Sequence, residues 1–195
     1  MHNKASVSSG ISTARLGLRS PNAGDAAVLA GLMTAEISRW LAAWPVPMTA
    51  AMAASRIDHA LTEIAQKQAL CFVIQRRQEP ASIGWLHIYR RQAQADIGEL
   101  SFWLGAAFQH QGYAQEAANA ALAVAFEELK LATIEGGAQV ENQPSITLMQ
   151  RLSMHCQGER LVWAQARNRY EPCVYYAISR EQFTTSPSPV NVGLS

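Results

Sequence analysis

The sequence predicts an α+β fold, an α/β/α sandwich in which a mixed, mostly antiparallel sheet of six to seven strands is flanked by helices. Two observations carry this prediction. Three short β-rich runs joined by polar turns follow two helical stretches, which is the pattern of an antiparallel meander. After the third run, a helix and another strand complete a unit over residues 96–140, and such a unit should be parallel and right-handed.

The elements that precede the meander are one strand and two helices. Residues 13–19 alternate between apolar and polar side chains, which predicts a half-buried strand. Residues 25–33 have apolar side chains at helical spacing, so we expect a first helix there, extending towards residue 41. Thr49 can cap a second helix that carries an apolar stripe.

The meander and the helix after it follow directly. The three β-rich runs cover residues 69–75, 82–89 and 96–104, and each is separated from the next by a short polar turn. An Ala-rich amphipathic stretch over residues 113–130 predicts the long helix of the parallel unit.

The last part of the chain returns to strands. A strand is expected over residues 133–140, where the pair Gly136-Gly137 indicates a bulge or a close approach of another group to the backbone. Two further strands are expected over residues 161–166 and 174–179.

One short helix is expected between these strands. Asn142 can cap it, and Pro144 suits its first turn. Its apolar pattern ends near Leu152.

Length and composition indicate a single domain. The chain has 195 residues, of which 49% are hydrophobic and 16% charged, and this is enough for one substantial core. We expect the domain over residues 13–183. Residues 1–12 are polar and Ser-rich, and residues 184–195 are rich in Ser and Pro, so both are predicted to be disordered.

Charge and cysteine content exclude several classes of partner. A net charge of +1 gives no reason to expect nucleic acid, and no apolar run approaches the roughly 20 residues that span a bilayer. The three cysteines are widely spaced and include no CxxC pair, which predicts neither a disulfide framework nor a metal site. A cytoplasmic protein is therefore expected.

Residues 40–47 contain two tryptophans and two prolines. The prolines prevent a continuous helix and favour an extended loop. Trp40 and Trp44 on such a loop either plug the core or wall a binding cleft, and both interpretations stay open.

Residues 99–118 combine the end of a strand, a turn and the exposed start of a helix. The first turn of a helix has four backbone N–H groups without intrahelical partners, and the macrodipole adds about half a positive charge there. Gly112 lets a ligand approach the backbone closely because it has no Cβ. This stretch therefore predicts an anion site suited to a phosphate.

Two motifs resemble the GCN5-related N-acetyltransferases, and within them the branch that acetylates ribosomal-protein N-termini. Residues 109–114, QHQGYA, are similar to the Arg/Gln-x-x-Gly-x-Gly/Ala loop that binds the coenzyme in that family. Asn142 and Ser145 resemble its Asn-x-x-Ser element. The resemblance runs from about residue 13 to residue 183.

The resemblance implies a sheet that splays between its central strands, residues 96–104 and 133–140. It also implies acetyl-CoA as co-substrate, no metal, and direct transfer of the acetyl group in a ternary complex to a primary amine, either a protein N-terminus or a small molecule. The implied coenzyme-binding residues are Phe102, Trp103, Leu104, Gln109, His110, Gln111, Gly112, Tyr113, Ala114, Asn142 and Ser145.

The catalytic residues are less fully specified by the resemblance. Direct transfer needs a neutral amine and then a proton for the departing thiolate. Met149 stands where many family members have a tyrosine and cannot donate a proton, which leaves Ser145 or an ordered water. Glu99 is the first candidate for the base and His87 is the second. Alternatively, Glu99 is only a solvent-exposed residue at the end of a strand, and His87 is only a core residue.

The acceptor side is expected to involve Trp40, Trp44, His87 and Glu99. Two alternatives to this enzyme stay open: an acyl-CoA-binding regulatory module that lacks turnover, which Met149 motivates, and an acetyltransferase for amino-bearing antibiotics. The apolar loop at residues 40–47 argues against the second, because polycationic acceptors call for an acidic cleft. We expect acetyl-CoA and an amine acceptor as partners and a monomer or homodimer.

Overall fold

The computed structural model describes residues 10–185, which form one eight-stranded sheet with six α-helices. The strands are β1 (Ile11–Ser12), β2 (Leu16–Arg19), β3 (Ala69–Arg76), β4 (Ser82–Arg91), β5 (Gln94–Leu104), β6 (Thr133–Gln139), β7 (His155–Ala164) and β8 (Arg169–Ser179). The helices are α1 (Ala26–Leu32), α2 (Ala35–Ser38), α3 (Ala50–Ala65), α4 (Tyr113–Glu128), α5 (Gln143–Arg151) and α6 (Arg180–Thr185).

The strand order is β1-β2-β3-β4-β5-β6-β8-β7, and each neighbouring pair is antiparallel except β5 with β6. The predicted α+β class, the meander and the parallel β5-α4-β6 unit are therefore confirmed. The eighth strand, beyond the six to seven predicted, is β1.

The sheet splays between β5 and β6, as the resemblance implied. The two strands pair from Ile97 opposite Thr133 to Leu100 opposite Gly136, and pairing then ends. Beyond this point β5 continues against β4 and β6 continues against β8. The two halves of the sheet thus separate and leave a gap along the last residues of β5.

Hydrophobic layers cover both faces of the sheet. One core lies under α4 and α5 and includes the fully buried Leu86, Leu122 and Ile134. The other lies under α1 and α3 and includes Leu29 and Ile57. Because α4 buries mostly alanines, it packs close to the sheet at the splay.

Three local expectations are corrected. Residues 11 and 12 were expected to be disordered, but they pair with β2 because Ile11 is buried opposite Leu18. The first helix ends at Leu32, since the chain is extended at Met33 and Thr34 caps the separate helix α2. Residues 184 and 185 were expected to be disordered, but they form the end of α6. Residues 1–9 and 186–195, also predicted to be disordered, lie outside the described residues.

The last hairpin is longer than predicted. Strands β7 and β8 cover ten and eleven residues, respectively. Most side chains of β7 are exposed on both faces, so the sequence lacks the apolar alternation that marks a half-buried strand.

The Gly136-Gly137 pair admits side chains close to the backbone. A Cβ built on Gly137 would lie 2.8 Å from Cζ of Tyr175, and one on Gly136 would lie 3.1 Å from Sδ of Met149. The predicted close approach is therefore present, and it occurs where β6 leaves β5.

We predict that Gly137→Ala destabilises the fold by about 1–3 kcal/mol, because the Tyr175 ring must move away from the new methyl group. Gly31→Ala is the matched control: nothing lies within 4 Å of its Cβ position on α1, so a gain of about 0.5–1 kcal/mol is expected. Urea unfolding measures both values. Equal effects of the two substitutions would contradict the steric argument.

Candidate active site

A cleft of about 1170 Å³ opens at the splay. Its walls are the last residues of β5, the start of α4, the start of α5, one face of α3 and the loop after α2. One continuous space therefore reaches both the predicted anion site and the predicted acceptor residues.

The start of α4 presents backbone N–H groups to this cleft. Gly112, with φ of +78°, is the N-cap residue, and no side chain makes a capping hydrogen bond there. His110 is also left-handed, with φ of +60°. Because the first-turn N–H groups have no intrahelical acceptors, this end of the helix favours an anion.

Arg15 supports the loop from outside. Its Nη1 donates to the carbonyl of Gln111 at 2.9 Å, and its guanidinium lies 4.6 Å from the ring centroid of Tyr113. Its Nε pairs with Oε2 of Glu116 at 2.6 Å, while the Thr13 hydroxyl donates to Oε1 at 2.5 Å. Burial raises the pKa of Glu116, but the hydrogen bonds from Thr13 and Arg15 outweigh it and hold that pKa below its ordinary value.

Gln109 and Gln111 of the loop donate side-chain hydrogen bonds to the turn that precedes α4. Nε2 of Gln109 donates to the carbonyl of Leu104 at 3.0 Å, and Nε2 of Gln111 donates to the carbonyl of Ala107 at 2.9 Å. Gln111 does not line the cleft, whereas the other predicted loop residues do.

The end of β5 runs along the cleft without a partner in β6. Phe102 is half-buried and packs against the core under α4. Trp103 belongs to the core on the other face and is 4% exposed. Phe102, Trp103 and Leu104 all border the cleft.

The start of α5 provides the polar residues near the splay. The side chain of Asn142 accepts a hydrogen bond from the Ser145 backbone N–H at 3.3 Å and is buried. Ser145 is half-buried and lines the cleft. Met149 is 2% exposed and provides only an apolar wall beside Gly136.

Glu99 lies on the cleft floor next to two tyrosines. Burial and the neighbouring Glu99 carboxylate raise the pKa of Tyr89, and the same two causes raise the pKa of Tyr175 to about 12. Nη2 of Arg91 lies 3.7 Å from Oε2 of Glu99 and 2.7 Å from Oε2 of Glu135. The floor therefore carries the Glu99 carboxylate with phenol groups around it, and Glu63 and Glu171 line other walls of the same cleft.

His87 faces the cleft from β4 and pairs with α3. Its Nε2 lies 3.2 Å from Oε2 of Glu63, and Nε2 of His59 lies 3.6 Å from Oε1 of the same carboxylate. The His87 imidazole lowers the pKa of Glu63 against the opposing effect of burial. All three side chains line the cleft.

The two tryptophans of the loop have different roles. Trp44 is 5% exposed and packs edge-to-face on Trp85 and Trp103, with centroid distances of 5.5 and 5.0 Å. Trp40 is half-buried, and the Arg39 guanidinium lies 4.4 Å from its ring centroid. Trp44 thus plugs the core, and both tryptophans border the cleft.

This loop is bound to the β7–β8 hairpin by Arg167. Nη1 of Arg167 donates to the carbonyls of Ser38 and Leu41 at 2.9 and 3.0 Å. The backbone N–H of Ala166 donates to the carbonyl of Ala42 at 2.8 Å. The loop therefore forms a fixed wall of the cleft.

Glu171 orients Arg167. Its Oε1 accepts from Nε of Arg167 at 2.7 Å, and its Oε2 accepts from Nε2 of Gln139 at 2.7 Å. The Arg167 guanidinium lowers the pKa of Glu171, burial opposes this, and Arg169 adds to the lowering. Glu171 thus stays ionised and holds the arginine beneath the loop.

The family is decided by the sequence profile of the acetyltransferase (GNAT) domain, which matches residues 15–155. The chain belongs to the GNAT acetyltransferase family. A relative from Bacillus subtilis (strain 168), the uncharacterized N-acetyltransferase YnaD, is 32% identical over 116 residues, covering 57% of this chain and 65% of that protein. The match thus spans just under two thirds of the relative's own length.

Solved structures share the GNAT fold of this chain. Mycobacterium smegmatis RimJ in complex with CoA-disulfide matches with a TM-score of 0.79 and 19% identity, over 93% of this chain and 90% of that chain. Microcin C7 self immunity acetyltransferase MccE in complex with acetyl-CoA and AMP matches with a TM-score of 0.76 and 18% identity, over 89% and 99%.

No helix within residues 10–185 is long and apolar enough to cross a membrane. Across the same residues, no three His, Cys, Asp or Glu side chains are grouped so that they could hold a metal ion.

Most of the side chains that hold this GNAT site in place were not predicted from the sequence. Arg15, Arg167 and Glu171 received no role. Arg15 and the carbonyls bound by Arg167 have partners that are distant in sequence, so no spacing marks them. Glu171 lies close in sequence to Arg167 and Arg169, and Glu63 follows His59 by one helical turn.

We predict that Glu171→Gln costs about 1.5–3 kcal/mol of unfolding free energy at pH 7, because the bonds to Arg167 and Arg169 lose their charge. A carboxyl with a lowered folded pKa stabilises above its ordinary value of 4.5, and the benefit disappears as pH falls through the folded pKa. The difference from wild type at pH 7 should therefore shrink at acid pH, below the ordinary value of 4.5.

Urea unfolding at pH 7 and at acid pH tests this prediction. Glu79→Gln is the control, since that carboxylate is exposed and its pairing with Arg76 should contribute less than about 1 kcal/mol. If the two variants lose equal stability at pH 7, the Glu171 contacts do not stabilise the hairpin.

Proposed function

We propose that the protein is an acetyl-CoA-dependent N-acetyltransferase that moves an acetyl group to a primary amine by direct transfer in a ternary complex. The observation that carries the proposal is the single cleft, which joins the uncapped start of α4 to the Glu99 floor across the splay. Donor and acceptor can thus meet at the gap between β5 and β6.

The donor half would hold acetyl-CoA chiefly through backbone groups. Its pyrophosphate fits the N–H groups of residues 111–114, where Gly112 leaves room and no side chain competes. Its pantetheine arm fits beside residues 102–104, where backbone groups of β5 without a partner in β6 can bond it like an added strand, although the Leu104 carbonyl already accepts from Gln109. The thioester would then lie near Asn142 and Ser145.

The acceptor half would supply the proton chemistry. Glu99 takes a proton from the acceptor ammonium, and the neutral nitrogen attacks the thioester carbonyl carbon. The tetrahedral intermediate collapses and the C–S bond breaks. The thiolate receives a proton from the Ser145 hydroxyl or a water, which takes back the proton that the attacking nitrogen loses, and Glu99 releases its own proton to solvent. The products are the N-acetylated acceptor and coenzyme A.

The acceptor class includes protein N-termini and small amines. RimJ in complex with CoA-disulfide and the self immunity acetyltransferase MccE in complex with acetyl-CoA and AMP share this fold, which supports the coenzyme of the proposal. The cytoplasmic location and the monomer or homodimer state stay predictions.

A regulatory acyl-CoA-binding module is the second candidate. It is favoured by Met149, which is buried beside the splay and cannot protonate a thiolate. Such a module would bind acetyl-CoA without consuming it.

We predict that wild type binds acetyl-CoA and releases thiol when amine acceptors are added. Gly112→Trp should weaken acetyl-CoA binding by more than about 100-fold, because a side chain at this left-handed position, whose Cβ would lie 3.3 Å from Nη2 of Arg15, must displace that guanidinium and distort the turn that presents the N–H groups. Calorimetric titration and a thiol-release assay with a panel of peptides and small amines measure the two properties.

Gly158→Trp is the matched control, because Gly158 also has a positive φ of +89° but does not line the cleft. Unchanged affinity in Gly112→Trp would exclude the pyrophosphate assignment. Tight binding by wild type with no thiol release on any acceptor would instead favour the regulatory module.

We predict that Glu99→Gln lowers kcat/KM by about 10²–10⁴ and abolishes the acidic limb of its pH profile, because the amide cannot accept the acceptor's proton. Glu159→Gln, on the exposed strand β7 and outside the cleft, is the control. Steady-state kinetics against pH measures both. A pH profile identical to wild type would rule out Glu99 as the base.

A further inference from the structure

Arg56 lies on the face of α3 that lines the acceptor half of the cleft. Its guanidinium is half-buried and lies 5.2 Å from the ring centroid of Trp44. One Nη2 hydrogen bond to the carbonyl of Ala43 fixes its position. Because a guanidinium has five N–H donors, this contact leaves most of its donors available.

Arg56 differs from two other half-buried arginines, Arg167 and Arg91, because it has no acidic partner. Arg167 is bound to Glu171, and Arg91 is bound to Glu135. Among residues 10–185, no carboxylate lies within ion-pair distance of the Arg56 guanidinium.

The pKa directions agree with this difference in pairing. Burial lowers the pKa of Arg56, and no neighbouring acid offsets it. Burial acts in the same direction on Arg91, but Glu135 outweighs it and the pKa of Arg91 is raised. Arg56 is thus a partly desolvated cation without a counter-ion.

A partly buried cation of this kind is costly unless an anion forms an ion pair with it. A carboxylate or phosphate that entered the cleft would form charge-assisted hydrogen bonds with the free donors of a guanidinium that is already fixed in place. Little ordering of the side chain would be needed, which favours binding.

We propose that Arg56 binds an anionic group of the acceptor, a carboxylate or a phosphate, while the acceptor's amine lies at Glu99. The cleft then has two complementary ends, a carboxylate on its floor and a guanidinium on its α3 wall. The preferred acceptors carry both an amine and an acid. This inference rests on the proposed function.

The anionic group has two sources that share this chemistry. It belongs either to a small amino acid or amino phosphate, or to an acidic side chain next to a peptide N-terminus. Three matched pairs of acceptors separate them: phenylalanine with phenylalaninamide, phosphoethanolamine with ethanolamine, and Ala-Asp-Ala amide with Ala-Asn-Ala amide.

The experiment measures both binding and turnover of each pair. Binding is followed by tryptophan fluorescence in the presence of coenzyme A, which allows no transfer, and kcat/KM is measured with acetyl-CoA. Wild type should prefer the anionic member of at least one pair by about ten-fold or more. Preference in the first two pairs identifies a small-molecule acceptor, and preference in the third alone identifies a peptide.

Arg56→Gln should reduce the preference to about one-fold, and Arg56→Lys, which keeps the charge but loses the planar fork, should retain part of it. Arg39→Gln is the matched control, because Arg39 also stacks on a tryptophan but does not line the cleft. Circular dichroism checks folding. If Arg56→Gln does not fold, the Arg56→Lys result and the loss of the wild-type preference at high salt decide instead.

Absence of preference in wild type, or its persistence in Arg56→Gln, would overturn the anion site. Failure of the proposed function gives a different result, namely no turnover of any acceptor. The binding preference measured with coenzyme A still reports on Arg56 in that case.

Discussion

The structure depends on the point at which β5 and β6 stop pairing. Up to Leu100 and Gly136 the two strands share a parallel ladder, and beyond it each keeps only its other neighbour. Backbone groups on one side of β5 are therefore left without a strand partner. Unpaired backbone groups are costly inside a dry core. The gap is stable because it opens onto a cleft, where water or an extended ligand can bond those groups.

The glycine pair of β6 fixes the place of this separation. Successive residues of a strand face opposite sides of the sheet, so Gly136 and Gly137 admit one large side chain from each side. Met149 packs on Gly136 from α5, and the Tyr175 ring packs on Gly137 from β8. Two packed layers thus hold β6 at the same point, and the position of the cleft is fixed by packing in the core.

The sequence predicts the features that depend on local spacing and misses those that depend on tertiary contact. The cap at Asn142 and the glycine at the start of α4 involve residues a few positions apart, and both are present. Arg15 and Glu116 are 101 residues apart, and Arg167 reaches the carbonyl of Ser38 across 129 residues. No periodicity signals such pairs. The extent of β7 was missed for another reason, since its exposed side chains carry no alternation.

The two ends of the cleft differ in what defines them. Under the proposed function, the donor end would use backbone groups, so its geometry follows from a glycine and a helix terminus. The acceptor end is formed by a loop whose carbonyls are bound by Arg56 from α3 and Arg167 from the β7–β8 hairpin. These bonds keep the wall in one position before any acceptor arrives, which lowers the entropy cost of binding. Under the proposed function, acceptor selectivity would therefore depend on the anchors of the loop as well as on the side chains that face the ligand.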